Sequence, residues 1–203
     1  MLAQIVLFDG FDPLDVVAPY EVLTAGGMFA DGTISATLVS AEGAREVPAG
    51  LDLLTLRATG QLDPARADLV VVPGAAGRPD EIPALLARTL GTGLPALLAA
   101  ALADPTVTVA TVCGGSLLLA MAGLIDGRPA TTHHMGLEQL GQSSTAIDAR
   151  IVDDGDLISA GGVTSGLDLG LYLVERELGA EVALAVERLI EHQRRGTVWR
   201  AAA

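Results

Sequence analysis

Cys113 is the only cysteine of the chain, and it stands where one residue pattern ends and another begins. Residues 106–112 are β-branched at every position but Ala110 and carry no charge, the composition of a buried strand. Leu117 onward has the apolar density of a buried helix. A thiol at that junction is presented by a sharp strand-to-helix elbow, which Gly114 and Gly115 permit and which lets a substrate approach the backbone. The positive end of a helix dipole and its unpaired N–H groups favour thiolate, so Cys113 is expected to titrate below the roughly 8.5 of a free thiol. Ser116 stands where it could cap the helix. Lone cysteines are commonly inert core residues; the elbow context argues here for a nucleophile.

The elements that would position such a thiol follow from the rest of the chain. Short apolar runs at residues 4–8, 34–40, 69–72 and 106–112 alternate with helix patterns at 15–25, 81–90, 94–103, 116–124 and 164–178. That rhythm predicts an α/β fold, a flavodoxin-like or Rossmann-like sandwich around a mainly parallel sheet. A last amphipathic helix is expected over 180–194. Two segments break the rhythm: 45–56, with Pro48 and Gly50, and 149–160, with the turn Asp154-Gly155, both expected as hairpins. Open α/β sheets bind ligands beyond the carboxyl ends of their strands. Residues 9–15, residues 73–77 and the Cys113 elbow all follow strands, so one pocket between them is expected.

Composition narrows the chemistry. The 203 residues, half of them hydrophobic, suit one domain over 1–203. With 12 basic against 25 acidic residues the net charge is −13, which argues against nucleic acid and anionic membrane partners. There is no lysine, which excludes Schiff-base catalysis and a P-loop. One cysteine allows no internal disulfide and no cysteine-rich zinc site. The start of the chain reads as a strand without a signal-like region, and residues 94–103 are too short to span a membrane, so a cytoplasmic location is expected.

Four segments in order, LFDGFDPLDVVAPYEVL, DLVVVPGAAG, VATVCGGSLLLAMAGLIDGRPATTHH and ISAGGVTSGLDLGLYLVERELG, resemble the ThiJ/PfpI family of the class I glutamine amidotransferase-like superfamily. The last two are most similar to the branch that holds isonitrile hydratases and the sensor domains of AraC-type regulators. Such regulators continue into a helix-turn-helix region, whereas about one helix follows Gly179 here. The resemblance implies that Cys113 is the nucleophile and Asp15 its acidic partner, which is aspartate in isonitrile hydratases. A carboxylate beside a thiolate either keeps a proton or suffers like-charge repulsion, so Asp15 is expected to titrate high and serve as general acid; capping the first helix is the alternative. By the same resemblance the backbone N–H groups of Ala75 and Gly114 form an oxyanion hole. His133, after Thr131-Thr132, lies near the nucleophile as a proton shuttle, an orienting group or a structural histidine. Asp168 approaches the pocket or serves the dipole of its own helix. Isonitrile hydratases tend to carry threonine directly after the nucleophile; this chain has Gly114.

The activity implied is a cofactor-independent, metal-free hydro-lyase that hydrates an isonitrile to an N-substituted formamide. Two alternatives share the thiol: a glyoxalase or deglycase acting on 2-oxoaldehydes through a hemithioacetal, and a non-catalytic module that senses oxidants or binds a small ligand. The family resemblance also implies a homodimer.

Overall fold

The computed structural model describes residues 1–51 and 54–200. Residues 52–53, inside the hairpin expected over 45–56, and the alanine tail 201–203 lie outside the described residues. The first half runs β1 (Leu2–Leu7), α1 (Pro13–Phe29), β2 (Ser35–Ser40), the antiparallel pair β3 (Arg45–Pro48) and β4 (Thr55–Ala58), then β5 (Gly60–Gln61) and β6 (Leu69–Val72). Helices α2 (Ile82–Leu90) and α3 (Leu94–Ala103) lead to β7 (Thr108–Val112) and α4 (Gly115–Met121). The remainder comprises β8 (Pro129–Ala130), α5 (Leu137–Leu140), β9 (Thr145–Ala146), β10 (Ile151–Asp154), β11 (Leu157–Ala160), α6 (Ser165–Leu178), α7 (Ala180–Leu189) and β12 (Val198–Arg200).

Eight strands form the central sheet in the order β12-β10-β11-β7-β6-β1-β2-β5. Every neighbouring pair is parallel except β10 with β11, the hairpin expected from Asp154-Gly155. Strands β6 and β7 are valine-rich and buried on both faces, as parallel strands covered by helices must be. The chain steps from β1 outward to β2 and returns on the other side of β1 with β6, so the strand order reverses between β1 and β6. That reversal opens a crevice at the carboxyl ends of β1, β6 and β7.

Several boundaries differ from the sequence pattern for local reasons. Helix α1 starts at Pro13 because Asp12 caps it, its Oδ1 accepting the Leu14 N–H at 2.9 Å. Strand β7 starts only at Thr108, since Asp104 Oδ1 accepts the Thr106 N–H at 2.9 Å and closes a turn through Pro105. Ser116 does not cap α4; Gly114 occupies that position, and the Ser116 hydroxyl pairs with that of Thr111 at 2.5 Å. Helix α7 ends at Leu189 rather than 194, with Glu191 at φ +51°, and the chain goes on to add β12 beside β10.

Helix α1 lies tightly against α6. A Cβ at Gly170 would sit 2.7 Å from the Val22 side chain, and one at Gly166 would sit 3.2 Å from Pro19 Cδ. This close approach fixes α1, and with it Asp15, relative to the sheet. Among the described residues no single helix is long and apolar enough to cross a membrane; α2 and α3 reach that length only as a pair bent by 76°.

Candidate active site

Strand β7 delivers Cys113 to the elbow in a left-handed conformation, φ +53°, which residues other than glycine seldom adopt. Such backbone costs on the order of 1–3 kcal/mol and persists only where its surroundings enforce it. Here the Cys113 N–H donates to the carbonyls of Ala160 and Gly161, each at 3.0 Å. Its own carbonyl accepts the Thr132 hydroxyl at 2.6 Å. The turn also presses on β6: a Cβ at Gly115 would stand 2.2 Å from the Val72 carbonyl oxygen.

Asp15 sits in the first turn of α1 and is fully buried. Asp12 is the cap, so Asp15 does not cap α1. Its Oδ2 accepts the Gly74 N–H at 2.9 Å, whereas Oδ1 is buried without a hydrogen-bond partner. Burial, reinforced by the charge of Asp12, holds this carboxyl well above the usual carboxylate range, against the pull of the Gly74 N–H and the Cys113 thiol. The thiol shifts upward too, contrary to the expectation from the helix dipole. Burial first, and the Asp15 charge second, push Cys113 up to about 12, while the N–H groups of Val163 and Gly114 act in the opposite sense. A seven-residue helix does not offset that desolvation.

The two groups therefore titrate as a pair that resists losing both protons. Moving one proton from sulfur to Asp15 creates a thiolate and a carboxylic acid together, leaving the charge of the site unchanged. The backbone N–H groups that face the sulfur then stabilise it.

The turn after β6 lies against the elbow, and a Cβ at Gly74 would fall 2.5 Å from the Gly114 nitrogen. Ala75 and Gly114 line the same pocket as Cys113, and neither N–H is taken by a backbone carbonyl among the described residues. The Ala75 N–H is thus free to face charge developing near the sulfur, and the Gly114 N–H already faces the sulfur itself.

That pocket has a volume of about 380 Å³. Leu51, Ile82, Leu86, Leu117, Met135 and Val163 make most of its wall apolar, and Asp12, His133 and Gln139 are its polar side chains. The structure thus brings Cys113, Gly114, Ala75 and His133 together, with Asp15 buried behind the thiol. His133 packs over Gly162, where a Cβ would meet its ring at 2.6 Å, and its Nδ1 accepts the Met135 N–H at 3.3 Å. Burial, then the neighbouring His134, lowers its pKa. Thr132 lies under the elbow instead of in the pocket wall.

Asp168 is not in the pocket lining. It is buried and pairs with Arg150 at 2.5 Å, His192 Nε2 at 3.0 Å and the Arg195 N–H at 3.0 Å, so it fastens the segment that leads to β12. His192 is part of that clasp. Asp12 and Gln139 are polar pocket groups that sequence reasoning passed over; for Asp12 the pair Asp12-Pro13, a capping residue before proline at the first helical position, was the available signal. Among the described residues no group of three or more histidine, cysteine, aspartate or glutamate side chains is placed to hold a metal ion.

Comparison with known proteins bears on the family and the fold. The sequence model of the DJ-1/PfpI family matches residues 1–176. Isonitrile hydratase of Pseudomonas putida is 40% identical over 87 residues, 41% of this chain and 37% of that protein. Protein DJ-1 homolog B of Arabidopsis thaliana is 27% identical over 181 residues, 87% of this chain and 38% of its own length. The chain therefore spans less than two fifths of either relative. The crystal structure of Drosophila melanogaster DJ-1beta superposes with a TM-score of 0.79 at 20% identity, covering 95% of this chain and 98% of that one.

Proposed function

Because the chain belongs to the DJ-1/PfpI family, we propose that it is a cysteine-dependent isonitrile hydratase, converting R–NC and water into the formamide R–NH–CHO. The observation that carries this reading is Asp15: a buried carboxyl with one oxygen fixed by Gly74, the other unpartnered, and a thiol against it. The partial similarity to isonitrile hydratase supports the same reading.

The chemistry uses the shared proton. Cys113 gives its proton to Asp15, and the thiolate adds to the terminal carbon of the isonitrile. Asp15 returns the proton to that carbon, giving the thioimidate R–N=CH–S–Cys113. The Asp15 carboxylate then takes a proton from water as the hydroxide attacks the carbon, and passes it to nitrogen. Collapse of R–NH–CH(OH)–S breaks the carbon–sulfur bond, and the hydroxyl proton goes back to the Cys113–Asp15 pair. The N–H groups of Ala75 and Gly114 stabilise charge developing during addition; one such donor is worth about 3 kcal/mol in a transition state.

His133 gives a second reading its foothold. A histidine with lowered pKa in the same pocket could move protons on a hemithioacetal formed between Cys113 and a 2-oxoaldehyde. We also carry a homodimer in this account, supported by Leu14, Val17 and Met28, which lie exposed along one side of α1. Turnover of cyclohexyl isocyanide and of methylglyoxal, side by side in wild type and Cys113→Ala, tests the function. Formamide production that requires Cys113, without methylglyoxal turnover, is expected; the reverse selectivity would hand the site to the second reading.

A further inference from the structure

Among the described residues that line the pocket above Cys113, Asp12 is the one carboxylate. Asp12 half-emerges beside the thiol; its Oδ1 is committed to the Leu14 N–H, and no hydrogen bond occupies its second oxygen among the described residues. Among the described residues no arginine lines the pocket, and the chain has no lysine. The nearest guanidinium in sequence, Arg78, follows the lining residue Gly77, is exposed, and stands 3.5 Å from Asp80. Among the described residues His133 is the one other titratable wall group apart from Cys113, and burial lowers its pKa. The negative charge of Asp12 acts on Asp15, Cys113 and His133 alike, so it reaches every titrating group around the reacting carbon.

We propose that Asp12 sets a charge rule for this site: uncharged or cationic ligands reach Cys113, and carboxylates are turned away. Resting on the function proposed above, the rule narrows the substrate class to isonitriles whose R group is apolar or carries an amine. An apolar wall accommodates the body of such a molecule, and the free Asp12 oxygen at the rim accepts a hydrogen bond from its ammonium group.

Asp12→Asn is a clean probe because asparagine caps a helix as well as aspartate while removing the charge. Asp12→Ser, also a good cap, guards against a failure of one variant to fold. The test is the rate of Cys113 alkylation by iodoacetate, an anion, divided by the rate with neutral iodoacetamide. Any change in thiol ionisation cancels in that ratio. At a separation of several ångströms, removing one charge raises the ratio by about three- to tenfold. An unchanged ratio in both variants overturns the charge rule. In parallel, kcat/KM is compared for an isonitrile bearing a carboxylate and for its methyl ester. The ester is favoured by wild type, and the preference narrows by a similar factor in Asp12→Asn. If no isonitrile is turned over, the proposed function falls while the alkylation ratio still decides the charge rule; if both isonitriles are turned over equally well, the rule falls and the function stands.

Discussion

The Thr132 hydroxyl donates to the Cys113 carbonyl at 2.6 Å, from a side chain that is 2% exposed. One strand and one loop, 19 residues apart, thereby hold the left-handed backbone on which the thiol is mounted. Thr132→Val keeps the shape and removes the donor. We expect about 1 kcal/mol lower stability and a fall in kcat with little change in KM, because the thiol loses its aim without any loss of substrate contact. Thr132→Ser restores both. Equal kcat in Val and wild type would mean the elbow does not depend on this hydrogen bond.

Asp15→Asn separates thiol reactivity from turnover. The amide neither accepts nor returns the proton, so isonitrile turnover is expected to fall about 10²- to 10⁴-fold. The same change removes the charge that holds the thiol up, so Cys113 titrates at lower pH in the variant than in wild type. Iodoacetamide alkylation against pH measures that inflection. A variant thiol that titrates higher would show that Asp15 is not ionised beside it.

The raised pKa of Asp15 also fixes how stability depends on pH. The folded chain binds this proton more tightly than the unfolded chain does. The contribution is complete below the ordinary carboxylate value of about 3.9 and is lost as pH rises through the raised folded value. Asparagine does not titrate. Urea midpoints should therefore show Asp15→Asn gaining on wild type from about pH 4 upward and holding a constant lead past the folded pKa. A lead that shrinks with rising pH contradicts the assignment.

The adjacent glycines of the elbow should respond oppositely. A Cβ at Gly115 meets the Val72 carbonyl oxygen at 2.2 Å, whereas at Gly114 the nearest atom is Gly74 Cα at 3.4 Å. Gly115→Ala is expected to cost about 1–3 kcal/mol or more by overpacking. Gly114, at φ −67°, takes alanine with little change or a gain of about 0.4–1 kcal/mol. Thermal unfolding of both variants checks the contrast.

Much of the sheet was legible because its strands carry their own signal. Residues 69–72 and 108–112 are uncharged and mostly β-branched, and they form the two strands that feed the site. The elbow was legible from Cys113, Gly114 and Gly115 in a row. What escaped depends on contacts between distant segments. Strand β12 is three residues long and is held through Asp168 and Arg195, 27 positions apart, so no local pattern announces it. The direction of the Cys113 shift escaped for a similar reason. Local sequence shows the helix that follows the thiol, but not the burial and the carboxyl that outweigh it.

Intact-protein mass during turnover of an isonitrile tests the central claim, addition of Cys113 to the isonitrile carbon. The account predicts a transient adduct heavier than the free chain by the whole isonitrile, with nothing lost, present in wild type and absent in Cys113→Ala together with all formamide production. Formamide released at the wild-type rate by Cys113→Ala, with no adduct in either protein, would contradict it.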